Sequence, residues 1–452
     1  YNIPSVKKME GIDAETLRQA LVSVVNAHPY MKTHMAQKDE DIVQLRLDDD
    51  EPEVSVTELS AEPDSNFFQS RVRPFDLLND HLYRLEIYNT PKALYLFTDF
   101  HHIIFDGVST MVFSMDLQRA LAGETLEEES YSAFDNALEE QAMVQSEKYD
   151  EAEKYFDGLL SDFEVASYPH SVKPDTQKPG NKTANVVVAG ESISKYCQQQ
   201  GVTLNSFFMA NVMQVMHRLL REKDLFITSI SNGRESFDLQ NAVGMFVKTL
   251  PVVSHANGQT VKDAVKDMQQ QYLETQDNEI YSYTKIVEKY NVRSEVLFAF
   301  QGGVTSADDY ISEESDEPVV LTLDTVKMPL MIQIFPKGND FVINLEYDSS
   351  LYCNLDMERL GKAMKCFLEY AAANPDVACN NVPLVDEEDK KALLELGKGE
   401  ELAYDKSETL VDLFRKQAAA TPDSVAVVYN GNSFTYSELD KLTDRLAVKL
   451  AS

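Results

Sequence analysis

The chain has 452 residues and a formal net charge of −34, which excludes phosphate backbones and anionic membranes as expected partners, because such a surface repels them. Hydrophobic residues make up 43% and aromatics 10%, ample for sizeable cores and too much for a disordered polymer. At roughly 150 residues per domain the length suggests about three units. The four cysteines, Cys197, Cys353, Cys366 and Cys379, lack the spacing of a zinc ribbon or a disulfide framework, so reduced thiols in a cytoplasm are expected. No apolar run approaches the ~20 residues that cross a bilayer. No signal peptide is visible, and a start at Tyr1 suggests a piece of something longer.

The first expected helix is Ala14 to His28. Leu17, Ala20, Leu21, Val24 and Val25 fall on one face, Asp13 is placed to cap it, and Pro29 discourages continuation. "DIVQLRL" alternates as a strand, and "LYRLEIY" and "ALYLFTDF" read as a hairpin about Asn89-Thr90-Pro91. After Asp106-Gly107 the period changes: Val108, Met111, Val112 and Met115 share a helical face that ends near Gly123. One long acidic helical region is expected over Leu138 to Leu160. "YPHSVKPDTQKPGNKTA", with three prolines, reads as a connector between two lobes.

The second lobe begins with a strand near Ala184 to Ala189 and a buried helix in "GVTLNSFFMANVMQVMHRLL". "DLFITSISNGRE" is a strand entering a polar turn. "EVLFAFQGG", "LMIQIF" and "DFVINLEYD" are strand-like, and "MERLGKAMKCFLEYAAA" is helical. A polar linker is expected at 397–408. Beyond it come a helix from Leu410 to Ala420, a hairpin whose Asn430-Gly431 suits a type I′ turn, and a last helix opened by a Thr435/Glu438 capping box.

"YLFTDFHHIIFDGVSTMVF" carries the chemistry. Two of only eight histidines stand side by side, with an acid four residues after the second. If the strand continues through them, His101 and His102 point to opposite faces, so one is structural and one faces a channel. A metal needs more converging ligands than this pair offers, so none is expected here. A general base needs an imidazole of near-neutral pKa held in one orientation. Asp106, at the turn into the helix, either orients the histidine or pairs with a cation to lock the loop.

"HHIIFDG" resembles the HHxxxDG motif of nonribosomal peptide synthetase condensation domains, relatives of chloramphenicol acetyltransferase and dihydrolipoyl acyltransferases. Further segments fall in that family's order. "NAHPYMKTHM" resembles RHExLRTxF through His28 and Thr33, with Met31 and Lys32 near-equivalent. "YSAFDNALEEQ" weakly resembles YxDYAxW. "ISNGRESFDLQNAVGMFVKTLPV" resembles S-G-R … G-x-F-V-N-T-x-P through Gly233, Arg234, Gly244, Phe246, Val247, Thr249 and Pro251. "NEIYSYTKIVEKY" resembles HQDYPFEKLVE, and "SEVLFAFQGG" a strand ending F-x-F-Q-N. "TLVDLFRKQAAATPDSVAVVYNGNSFTYSELDKLTDRLA" looks like the opening of an adenylation domain and stops before any ATP-binding motif. The chain departs from the family pattern at Lys248, where an Asn is usual, at Ala27 and Lys32, where Arg is usual, and in lacking the first motif.

The resemblance implies an α/β fold of two chloramphenicol-acetyltransferase-like lobes, a V-shaped pseudo-dimer with a cleft and tunnel between them. Expected boundaries are 1–172 for the N-terminal lobe, 173–396 for the C-terminal lobe and 409–452 for the adenylation fragment, itself inert. It implies peptide-bond formation between a donor acyl thioester and an acceptor amine. Both arrive on 4'-phosphopantetheine arms of upstream and downstream carrier proteins, and the domain binds no cofactor of its own. His102 accepts the amine proton or positions the amine, and His101 is a packed structural histidine. Asp106 pairs with a basic residue, with Lys32 the candidate partner. Gly107 offers an N–H near the reaction centre or is a turn glycine, and Arg234 holds the polar turn or makes a surface ion pair. The alternatives are an epimerisation domain sharing the histidine motif and a non-catalytic carrier-docking domain.

Overall fold

The computed structural model describes residues 2–47, 49–161, 163–165, 168–234, 236–302, 321, 326–399 and 405–452. The expected linker at 397–408 and the end of "EVLFAFQGG" fall partly outside them. The chain divides into two units, Tyr1–Asp386 and Glu387–Ser452.

The first unit opens with strand β1 (Asn2–Met9), helix α1 (Ala14–Ala27) and the hairpin β2 (Thr33–Lys38) and β3 (Asp41–Arg46). Strands β4 (Val54–Glu58), β5 (Tyr83–Asn89) and β6 (Leu94–His101) follow, with a short helix, α2 (Ser65–Gln69), between β4 and β5. Helices α3 (Gly107–Leu121), α4 (Ala133–Met143) and α5 (Glu147–Leu160) complete this half. Its main sheet has the order β1-β6-β5-β4, antiparallel except for the parallel β4–β5 pair. The expected hairpin is the β5–β6 pair. The long helix expected over Leu138 to Leu160 is instead two, because Ser146 caps a new start by accepting the Tyr149 N–H.

Both faces of β6 are covered, which is why its sequence reads as nearly continuous apolar. Leu94, Leu96 and Phe100 join a core with Leu17, Leu21 and Val24 of α1 and Phe113 of α3. Phe97 lies on the other face with Phe68 and Tyr88. The alternation follows from the two-residue period of a strand.

The second half has β7 (Asn181–Val188), α6 (Glu191–Gln200), α7 (Leu204–Leu220), β8 (Asp224–Ser231), β9 (Lys248–His255), α8 (Val261–Asp277), α9 (Tyr283–Tyr290), β10 (Val296–Phe300), β11 (Leu330–Lys337), β12 (Asp340–Asp348) and α10 (Asn354–Ala373). Its sheet runs β7-β12-β11-β10-β8-β9. Helix α7 is buried on every side from Ser206 to His217, as its mostly apolar sequence there allows. It packs with α8 and α10 on one face of the sheet. Helix α5, which the sequence assigns to the first lobe, lays Ala152, Phe156 and Leu160 against Phe226 and Val253 of the second sheet.

The two halves interlock. Leu239, Ala242, Val243 and Phe246 leave the second sheet between β8 and β9 and complete the core of the first half. Two glycines permit this crossing. Gly233 has φ +62°, and a Cβ there would meet the Phe246 carbonyl oxygen at 1.9 Å; one at Gly244 would meet Ala133 and the Phe246 ring at 2.7 Å.

The second unit begins with α11 (Glu387–Leu396), ahead of the linker the sequence suggested. It continues with α12 (Leu410–Ala420), the hairpin β13 (Val425–Tyr429) and β14 (Asn432–Thr435), and α13 (Tyr436–Ala451). Asn430 and Gly431 have φ of 47° and 77°, as a type I′ turn demands. Thr435 and Glu438 form the capping box.

Candidate active site

Strand β6 stops at His101, so the histidine pair straddles the strand end rather than lying within it. Leu82 still holds the last strand residue: its carbonyl accepts the His101 N–H at 2.8 Å. His101 Nδ1 accepts the Ile103 N–H at 3.1 Å, and its ring meets Phe75 edge-on at 5.6 Å. Burial pushes this imidazole down to about 4, which keeps Nδ1 available as an acceptor. These contacts make His101 the residue that shapes the turn.

His102 is the first residue of that turn and is half-buried, with its Nδ1 enclosed. Burial lowers its pKa. Backbone groups of His102 and Phe105 and the Asp106 carboxylate oppose the shift, and the Lys327 cation reinforces it. The shift favours the neutral imidazole, the form that accepts a proton.

Asp106 closes the turn and is wholly buried. It caps α3 by accepting the Ser109 N–H at 2.8 Å, so Gly107 is the first helical residue and is exposed. The same carboxylate accepts from Arg234 Nη2 at 2.8 Å and from the Phe246 N–H at 3.2 Å. Arg234 is also buried. It donates to the carbonyls of Leu239 and Ala242, and its guanidinium lies 4.4 Å from the Phe246 ring centre. A planar fork suits this divided task.

The cation that Asp106 holds is thus Arg234 and not Lys32, which corrects the pairing expected from motif order. Lys32 ends a 3-10 turn, Pro29–Lys32, is half-buried and makes none of these contacts. Arg234 is neither a surface ion pair nor merely a turn anchor, because it ties the second half to the loop bearing the histidines. Lys248 pairs with Glu140 of α4, another bond between the halves.

Sequence reasoning missed two supports. The Ser109 hydroxyl lies 2.8 Å from Asp106 Oδ1 and 2.9 Å from the Gly244 carbonyl, and it accepts from the Gly244 N–H at 3.0 Å and from Arg234 at 3.1 Å. An Asp-x-x-Ser at a helix start was the available signal. The other support is the seat of His28. This buried ring lies 2.9 Å from Asp116 Oδ2 through Nε2 and 2.9 Å from Glu129 Oε2 through Nδ1. Burial opposes its charge, but the two carboxylates outweigh burial and raise its pKa to about 9. Glu129 also accepts the Val243 N–H at 3.3 Å, so this cluster supports the same crossing segment.

Two interlocked sheet-containing lobes, with the histidine loop clamped by both, form the chloramphenicol-acetyltransferase-like class of fold. The family described as the Condensation domain matches residues 1–394, and the chain belongs to that family. It is 29% identical over 468 residues to surfactin synthase subunit 2 of Bacillus subtilis (strain 168), covering 99% of this chain and 13% of that protein. It is 25% identical over 468 residues to bacitracin synthase 1 of Bacillus licheniformis, covering 100% of this chain and 9% of that protein. A solved four-domain nonribosomal peptide synthetase bound to AMP and glycine superposes with a TM-score of 0.73 at 17% identity, covering 97% of this chain and 36% of that one. No helix among the described residues is long and apolar enough to cross a membrane.

Proposed function

We propose that this chain forms an amide bond between a donor acyl thioester and an acceptor amine, each tethered to a carrier protein by a phosphopantetheine arm. The two arms enter the cleft between the lobes from opposite faces. The amine nitrogen attacks the thioester carbonyl, the C–S bond breaks, and the thiolate leaves. His102 accepts the proton the amine loses, and that proton ends on the departing sulfur. A thioester is already activated, so the larger catalytic demand is to hold two tethered groups together. The observation that carries this reading is His102 at the end of β6, on a loop fixed by the buried Asp106–Arg234 pair.

The second unit resembles the opening of an adenylation domain and carries no activity of its own in this reading. Its exposed apolar side chains, Leu410, Val428, Leu446 and Leu450 among them, suit a piece of a larger fold. The deciding experiment supplies two loaded carrier proteins and reads the products by mass spectrometry. A new amide on the acceptor arm supports condensation. Inverted stereochemistry without an amide would instead assign epimerisation, and carrier binding without turnover would assign docking alone.

A further inference from the structure

We propose that His34, Asp50 and His81 form a structural site for a transition-metal ion of the zinc class on the first lobe. The three residues come from separate segments: His34 from β2, Asp50 from the loop before β4, and His81 from the approach to β5. Their ligand atoms lie within 4.8 Å of one another. His34 Nε2 is 3.1 Å and His81 Nδ1 is 3.4 Å from the same oxygen, Asp50 Oδ2. Ligands at about 2.0–2.1 Å in a tetrahedral zinc site stand roughly 3.3 Å apart, so only small movements would admit the ion.

The surroundings fit as well. The other ring nitrogen of His81, Nε2, faces the Glu53 carboxylate at 3.8 Å, the outer carboxylate that commonly orients a metal-bound histidine. The Glu53 backbone is anchored, since its N–H donates to the Tyr83 hydroxyl at 3.1 Å, while its side chain stays exposed. The His34, Asp50 and His81 side chains keep 24%, 21% and 24% of their exposure, so an ion can enter and water can fill a fourth position. Two imidazoles with one carboxylate favour zinc, cobalt, nickel or copper over magnesium or calcium. The net charge of −34 raises the local concentration of cations.

The placement gives the site a use. His81 adjoins Leu82, whose carbonyl holds the His101 N–H. A bound ion would pin the β2–β3 hairpin and the Asp50 loop to the strand end that carries the histidine pair, and so steady the active-site turn.

Full-length chain stripped with a chelator and titrated with Co²⁺ tests this. One equivalent should bind with the strong visible absorption of a four-coordinate site, Zn²⁺ should displace it, and the melting temperature should rise. His34→Gln, Asp50→Asn and His81→Gln should each abolish the absorption in protein whose circular dichroism is unchanged. Glu53→Gln should weaken binding about 10–100-fold, and His255→Gln, at an exposed histidine elsewhere, should not alter it. Absence of saturable Co²⁺ and Zn²⁺ binding by the unmodified chain overturns the site, whatever the variants do. So does binding that survives in folded His81→Gln.

Discussion

His28 and His102 belong to the same lobe and differ in charge. His28 is a buried cation between Asp116 and Glu129, whereas His102 is held neutral where burial and Lys327 both disfavour the proton. Neighbours decide the difference. A charged ring gripped at both nitrogens is a staple and has no capacity left for chemistry. A neutral ring at a strand end keeps that capacity. The same contrast separates the carboxylates: Asp106 spends its oxygens on Ser109, Arg234 and Phe246, so it holds the loop and does not relay protons.

The largest expected effect is on the neutral histidine. His102→Ala should reduce amide formation by about 10²–10⁴-fold if it serves as general base, with the melting temperature unchanged. Turnover within a few-fold of the parent, measured with two loaded carriers, would remove it from the reaction. Next comes the clamp. Arg234→Ala leaves a buried carboxylate without its cation and should cost about 3–5 kcal/mol, read from denaturant midpoints, with activity lost alongside. Asp106→Ala should match it, and the double variant should cost much less than the sum.

The staple sharpens the comparison through pH. The folded-state pKa of His28, about 9, lies above its unfolded value of 6.5, so its contribution is complete below about pH 6.5 and is lost as pH climbs through about 9. At ~1.36 kcal/mol per unit this amounts to about 3 kcal/mol at pH 6. Unfolding curves of the parent and His28→Gln should therefore differ most at pH 6 and converge toward pH 10. A difference that stays constant over that range would mean that His28 is not charged in the fold.

Local features were legible because their physics is local. Asp13 as a cap, the β5–β6 hairpin, the period change after Asp106, the Asn430-Gly431 turn and the Thr435 capping box each depend on residues a few positions apart. The His102 candidate came from a motif whose spacing is equally short. Distant partners were not. Arg234 lies 128 residues from Asp106, and Glu129 101 from His28, and no periodicity encodes such distances. The opposite-face argument for the histidines assumed a continuing strand, and β6 ends at His101. The packing of α5 on the second sheet, and the meeting of His34 with Asp50 and His81, arise only when separate segments are brought together.

Lys32 provides the smallest expected effect and the strictest check on the clamp. Motif order brings it into the same family pattern as Asp106, and a pairing would make Lys32→Ala as damaging as Asp106→Ala. In the fold the Asp106 carboxylate is already served by one guanidinium, two backbone N–H groups and a hydroxyl, from Arg234, Ser109 and Phe246. A second cation has no role to fill there. Lys32→Ala should thus stay within about 0.5 kcal/mol of the parent, as a substitution away from such networks does. Its amide-forming rate should be unchanged within a few-fold in the two-carrier assay. A loss of stability as large as that of Arg234→Ala would show that the loop depends on a cation other than the one buried against it.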